Sequence, residues 1–294
     1  TAGTYASAPL QRWQGNGAVV GDILFGESTA ILSPGADLVA NTFTFSNNVA
    51  ITNGTINFDI SPSLVSGNDR INVAGSATLD GTATLNVGFL GGASTGTYVV
   101  LEAAGGITGS VSGWTVNWAG RGVPPSLAIV GNPLQLTVSA GSAGSVVWRG
   151  TINNNWDANV TSNWLNGVAQ DKFFQLDSAA FDDDAGVLQT NINLATTLAP
   201  SAVTVSNSAN AYTFSGSGQI AGGGALTKDG TGTLTLLKAN SYTGGTTNKG
   251  GGVLNFGTFP GAFGSGPIVM QGASLEGTNN LTLANAIQFA TGNS

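Results

Sequence analysis

From Gly224 to Thr258 the chain reads GALTKDGTGTLTLLKANSYTGGTTNKGGGVLNFGT, in which short Thr/Leu/Val runs alternate with Gly and Asn turns. Leu226, Leu234 and Leu236 fall on alternate positions, and Val253 takes the same place in the following run, so one face is apolar and the other threonine-rich. Runs this short cannot bury their apolar face alone. Stacked as consecutive rungs of a β-solenoid they can, and a chain of this type is built for length before reactivity.

The same alternation runs through the rest of the chain. In ANTFTFSNNVAITNGTINFD, residues 40–59, Phe43 and Phe45, Val49 and Ile51, and Ile56 and Phe58 form three short strands, separated by Asn47-Asn48 and Asn53-Gly54. Residues 69–90 repeat the theme, with Ile71, Val73, Leu79, Leu85 and Val87 on period two and Asp80-Gly81 as the turn. Longer strands with Trp114 and Trp118 follow. Turn signals recurring roughly every 8–12 residues are the spacing of an all-β stack, sandwich or solenoid.

Composition narrows the chemistry. The 294 residues are 41% hydrophobic and 8% charged, enough to fold around one large or two modest cores. The 45 glycines have no triplet period, which excludes collagen. There is no cysteine and no histidine, so disulfides, thiolate nucleophiles, common zinc sites and histidine acid–base chemistry are absent. Eight basic residues against 15 acidic ones, for a net charge of −7, argue against nucleic acid as a partner. No apolar run of about 20 residues offers a membrane-spanning helix. The chain opens at Thr1 without a methionine or a leader pattern, as a processed protein or a piece of a longer one would.

A small-residue linker at 141–146 separates an N-terminal β-rich unit, residues 1–140, from a Trp-rich segment, residues 147–214. A C-terminal repeat unit, residues 215–294, follows. The expected fold is all-β, made of parallel β-helix or β-solenoid units, with the Trp-rich segment as a small β-sandwich-like linking module. Trp148, Trp156 and Trp164 recur every eight residues. Packing is the reading the residue type favours, and a sugar-stacking platform is the alternative.

Candidate chemistry is sparse. Asp182, Asp183 and Asp184, with Asp177 upstream, form the one calcium candidate, but they lack EF-hand and β-roll spacing and read more simply as a solvated turn. Arg149 and Lys172 are the nearest bases, and no motif ties them to the aspartates. Glu27, Glu102 and Glu276 are dispersed, so a glycosidase pair has no sequence support. The Gly-rich runs lack the Lys-Ser/Thr and the helix of a phosphate cradle. No catalytic residue and no cofactor is expected.

The segment from Val147 to Thr258 resembles the autotransporter-associated β-strand repeat proteins, large secreted or surface proteins of Gram-negative and related bacteria. The resemblance is carried by Gly224-Ala225-Leu226-Thr227-Lys228, Gly230-Thr231-Gly232-Thr233-Leu234-Thr235-Leu236, Asn240-Ser241-Tyr242-Thr243-Gly244-Gly245-Thr246 and Gly252-Val253-Leu254. Upstream, Trp148, Gly150, Trp156, Asn163-Trp164 and Phe181-Asp182-Asp183 are similar to the module that often precedes this repeat. The match covers more than a third of the chain. Residues 71–110 resemble, more loosely, the end of a passenger stem. The resemblance implies a bacterial surface or extracellular location.

Two functions fit. One is a structural subunit of an extracellular fibre or surface layer. The final runs, Leu281–Leu283 and Ile287–Phe289, carry no cap, and Thr1, Tyr5 and Leu10 lie in an extended uncharged segment able to cover such an edge, so the partner would be a second copy joined head to tail. The other is an autotransporter-type adhesin or passenger stem, with the tryptophans and the Thr/Asn faces as a glycan contact.

Overall fold

The computed structural model describes residues 4–35, 39–90, 93–139, 143–186, 189–278 and 281–290. It is all-β, with no α-helix among the described residues and with parallel pairing throughout most of the sheets. The chain divides into two compact units, Thr1–Trp118 with Gly122–Gly141, and Ala119–Arg121 with Ser142–Ser294.

In the first unit each turn of chain visits three sheets in succession. One sheet stacks Thr4–Ala6, Asp22–Phe25, Val49–Ile51, Ala77–Leu79 and Ile107–Gly109; a second stacks Arg12–Gln14, Ile31–Ser33, Thr55–Ile60, Thr84–Phe89 and Thr115–Asn117. The third begins with Ala18–Val19, Thr42–Phe45, Arg70–Val73 and Gly96–Ala103 in parallel, and ends in two antiparallel strands, Pro133–Val138 and Ser126–Ile129. This is a parallel β-helix. Because pairing is in register, like side chains form columns: Phe25, Ile51 and Leu79 in one, Leu32, Ile56 and Leu85 in another, Phe43, Ile71 and Leu101 in a third. All nine are buried, each contributing roughly 1.5–3 kcal/mol over exposure. The alternation read from residues 40–59 and 69–90 therefore places the core correctly.

Corners are cut by the expected turn pairs. Asn53 Oδ1 accepts the Gly54 N–H at 2.8 Å, and Asp80 Oδ1 accepts the Gly81 N–H at 2.8 Å. Gly54 has φ +89°, and a Cβ there would lie 2.5 Å from Phe25 Cε1, so glycine alone fits.

The second unit stacks two main sheets. Ser145–Trp148, Ser178–Phe181, Ala202–Ser206, Ala225–Asp229, Thr246–Asn248, Ile268–Met270 and Ile287–Phe289 run parallel in one, and Trp164–Asn166 with Ala169–Asp171 adds an antiparallel hairpin at its edge. The other, wholly parallel, holds Asn155–Trp156, Asn191–Leu194, Tyr212–Ser215, Thr233–Leu236, Val253–Asn255 and Ser274–Glu276. Residues of the Trp-rich segment thus form rungs of the same stack as the C-terminal repeats. Two sequence assignments shift. Leu254 and Phe256 point inward in place of Val253, a one-residue slip that reverses the face. Leu281–Leu283 forms no strand; its leucines pack partly buried against the core.

Candidate functional site

The tryptophans form a closed aromatic box. Trp148, Trp156 and Trp164 are exposed by 0%, 0% and 1%, which leaves no ring face for a sugar and overturns the platform reading. Trp156 meets Trp164 at 5.3 Å, Phe173 at 5.3 Å, Phe181 at 5.2 Å and Phe214 at 5.9 Å between ring centroids, mostly edge to face. Such pairs add about 0.5–1.5 kcal/mol each beyond area burial. Trp148 Nε1 donates to the Gln189 carbonyl at 2.8 Å. The eight-residue recurrence is therefore packing of the first rungs.

The acidic run lies beside this box, and its three carboxylates serve different partners. Asp182 accepts two hydrogen bonds from Arg149, at 2.8 and 3.2 Å, and its carbonyl takes the Tyr212 hydroxyl at 2.6 Å. Asp183 accepts the backbone N–H groups of Ser208, Ala209 and Asn210 at 2.8–3.1 Å. Burial pushes its pKa up, but these three donors outweigh that and hold it below the usual carboxylate range. Asp184 is 83% exposed, 3.6 Å from Arg149. Burial, then the charge of Asp182, raises the Tyr212 phenol above its ordinary value. Among the described residues no group of three or more His, Cys, Asp or Glu side chains is placed to hold a metal ion. Lys172 Nζ donates to the Asn159 carbonyl at 3.3 Å.

Asp177 belongs to a different cluster. It is fully buried and takes a bidentate pair from Arg121, at 3.0 and 2.7 Å, together with the N–H groups of Gly144 at 2.6 Å and Phe174 at 2.9 Å. Arg121 also donates to Asp171 at 2.8 Å and lies 4.5 Å from the Phe174 ring centroid. Hydrogen bonding to Asp177, working against burial, raises the Arg121 pKa. Nothing in the sequence marks this pair, whose members stand 56 residues apart.

Within the repeat, the lysine of Leu226-Thr227-Lys228 points into the core. It stands in one inward column with Val205, Asn248 and Met270, and is 0% exposed. Its Nζ donates to the carbonyls of Asp229 at 2.6 Å and Gly230 at 2.7 Å. Neighbouring corners are closed the same way by amides: Asn207 Nδ2 serves the Asn210 and Thr233 carbonyls, and Asn248 Nδ2 serves Gly252 and Ser274. Burial lowers the Lys228 pKa, and Asp229 and Asp183 partly restore it. Lys228, Asn207 and Asn248 are thus plugs for turn carbonyls that stacking takes out of water.

The remaining candidates are scattered. Arg70 lies 3.6 Å from Glu102, while Glu27 sits in a turn and Glu276 in the Ser274–Glu276 strand. Thr1 lies outside the described residues. Tyr5 is 60% exposed on Thr4–Ala6 and Leu10 is 82% exposed with φ +60°. Ile287 and Phe289 are 41% and 86% exposed on a strand paired with Ile268–Met270. No helix among the described residues is long and apolar enough to cross a membrane.

Over 73 residues the chain is 47% identical to the adhesin BmaC autotransporter of Brucella suis biovar 1 (strain 1330). The matched stretch is 25% of this chain and 2% of that protein, so the chain spans only a small part of its relative. No protein-family model matches the chain, and no solved structure matches it.

Proposed function

We propose that the chain is a β-helical stem segment of an autotransporter-type passenger at a bacterial surface, with a mechanical and not a catalytic role and with no cofactor. The observation that carries this is the in-register parallel stacking together with the local similarity to an autotransporter adhesin. Each added rung lengthens such a stack by about 4.8 Å without any new core design. The charged groups best suited to chemistry, Arg149 with Asp182, Arg121 with Asp177, and Lys228, are instead engaged in holding turns and rungs. The similarity lends support to a stem and gives none to head-to-tail assembly of copies. An antibody raised against the chain should label intact, unpermeabilised cells that produce it. Labelling only after permeabilisation overturns the surface location, and release of product from a polysaccharide incubated with the purified chain overturns the non-catalytic role.

A further inference from the structure

Between Ile60 and Arg70 the chain leaves the stack of the first unit in a loop that is shaped by its own side chains. Asn68 Oδ1 accepts the Ser61 N–H at 2.6 Å while Asn68 Nδ2 donates to the Ser63 carbonyl at 2.7 Å. Ser61 Oγ donates to the Ser66 carbonyl at 3.0 Å, and the buried Tyr98 hydroxyl donates to the Ser61 carbonyl at 2.9 Å. The loop is therefore pre-organised, and beside it lies a cavity of about 210 Å³.

Its lining has two characters. Most of it is polar, from Thr42, Ser66, Asn68 and Arg70, and Leu64, Val65 and Val99 add a smaller apolar part. Arg70 is the cation of the lining. Its contact with Glu102, 3.6 Å long between side chains 40% and 46% exposed, is a solvated pair that leaves guanidinium donors to spare. Asp69 lies buried in the same lining, its oxygens taken by the N–H groups of Asn41 and Asp59. Burial raises its pKa to about 8, and the nearby charge of Asp59 adds to the rise. The volume falls below the roughly 300–1,000 Å³ of drug-sized ligand sites, which limits an occupant to one ring. A bare phosphate would leave the apolar part unused, and an uncharged apolar ring would leave Arg70 and the hydroxyls unused.

We propose that this cavity binds a single carboxylate-bearing pyranose, a uronic-acid unit of an acidic polysaccharide. Arg70 takes the carboxylate, Thr42 and Ser66 meet ring hydroxyls, and the apolar part meets ring C–H groups. The site is independent of the stem reading, since a stem needs no sugar site and a sugar site needs no stem.

The test is a titration of the ¹⁵N-labelled full chain with glucuronate, glucose and acetate, followed by amide shifts. Glucuronate should give saturable shifts at Thr42, Ser66, Arg70 and Val99 with a Kd on the order of 1 mM, as expected for a ligand of this size. Arg70→Gln should weaken binding at least about tenfold, and Glu102→Gln should tighten it by freeing the guanidinium, an effect no structural role of Arg70 would produce. Absence of saturable shifts, an equal response to acetate, or Glu102→Gln and Thr42→Val variants that both bind as wild type would overturn the proposal. The last pair decides the matter even where Arg70→Gln fails to fold.

Discussion

The two units solve one problem, closing a stack of short parallel strands, with different interiors. In the first, columns are apolar throughout, as in Phe43, Ile71 and Leu101, and the amide ladder lies outside, Asn86 donating to Asn57 at 3.0 Å and Asn117 to Asn86 at 2.7 Å. In the second, an inward column runs Phe181, Val205, Lys228, Asn248, Met270, so polar groups occupy core positions. The corners explain the difference. In the first unit the Gly54 carbonyl is met by the Thr84 N–H of the next rung at 2.9 Å. In the second, Asp229 Oδ1 meets the Gly230 N–H just as Asn53 meets that of Gly54, but the Asp229, Gly230 and Gly252 carbonyls take the inward nitrogens of Lys228 and Asn248. Buried polarity there serves turn carbonyls that face the core.

The largest effect expected from breaking this contrast is at the aromatic box. Trp156→Ala removes a ring that touches Trp164, Phe173, Phe181 and Phe214, and should cost about 3–5 kcal/mol, read from hydrogen exchange in peptides of the second unit. A loss below about 1 kcal/mol would mean that the box is not a close-packed core.

Opposite pH responses should sharpen the comparison next. Asp69 in the first unit titrates near 8 when folded against its ordinary 3.8, so between these values the folded chain keeps a proton that the unfolded chain has released. Its contribution to stability is therefore full below about pH 4 and falls, by at most about 1.4 kcal/mol per pH unit, until about pH 8. Asp183 in the second unit is held below its usual range, so its contribution is present above the ordinary carboxylate pKa and is lost as pH falls through the lowered value. Urea titrations from pH 4 to 9 should show a declining component that Asp69→Asn removes. An unchanged slope in that variant would assign the decline elsewhere.

Much of this is legible in the sequence, and the exceptions have physical causes. Period two locates Phe43, Phe45, Ile56, Phe58, Leu234 and Leu236 in the core because parallel stacking preserves alternation from rung to rung. It also points at Lys228, two positions after Leu226, but a lysine reads as solvent-facing unless the orphan carbonyls of the corner are known. Val253 is misplaced by the alternation because Lys249-Gly250-Gly251-Gly252 carries no marker for where the next strand resumes its phase. Asp69 and Arg121 give no signal at all: one is desolvated by stacked rungs, the other paired across 56 residues, and neither relation is local.

Lys228 gives the smallest expected effect and the most direct test of the contrast. Lys228→Met keeps most of the side-chain volume and removes a buried ammonium, which favours the variant, but it strips the donor from the Asp229 and Gly230 carbonyls. Unsatisfied buried acceptors cost about 1–3 kcal/mol, so a net loss in that range is expected in thermal or urea unfolding. Lys228→Gln should recover part of it, since the next rung already closes its corner with the amide of Asn248. If Lys228→Met were instead stabilising, the cost of burying the ammonium would outweigh the need of the glycine corner for a donor, and the buried polar column would be a burden on the second unit rather than the means by which its turns are closed.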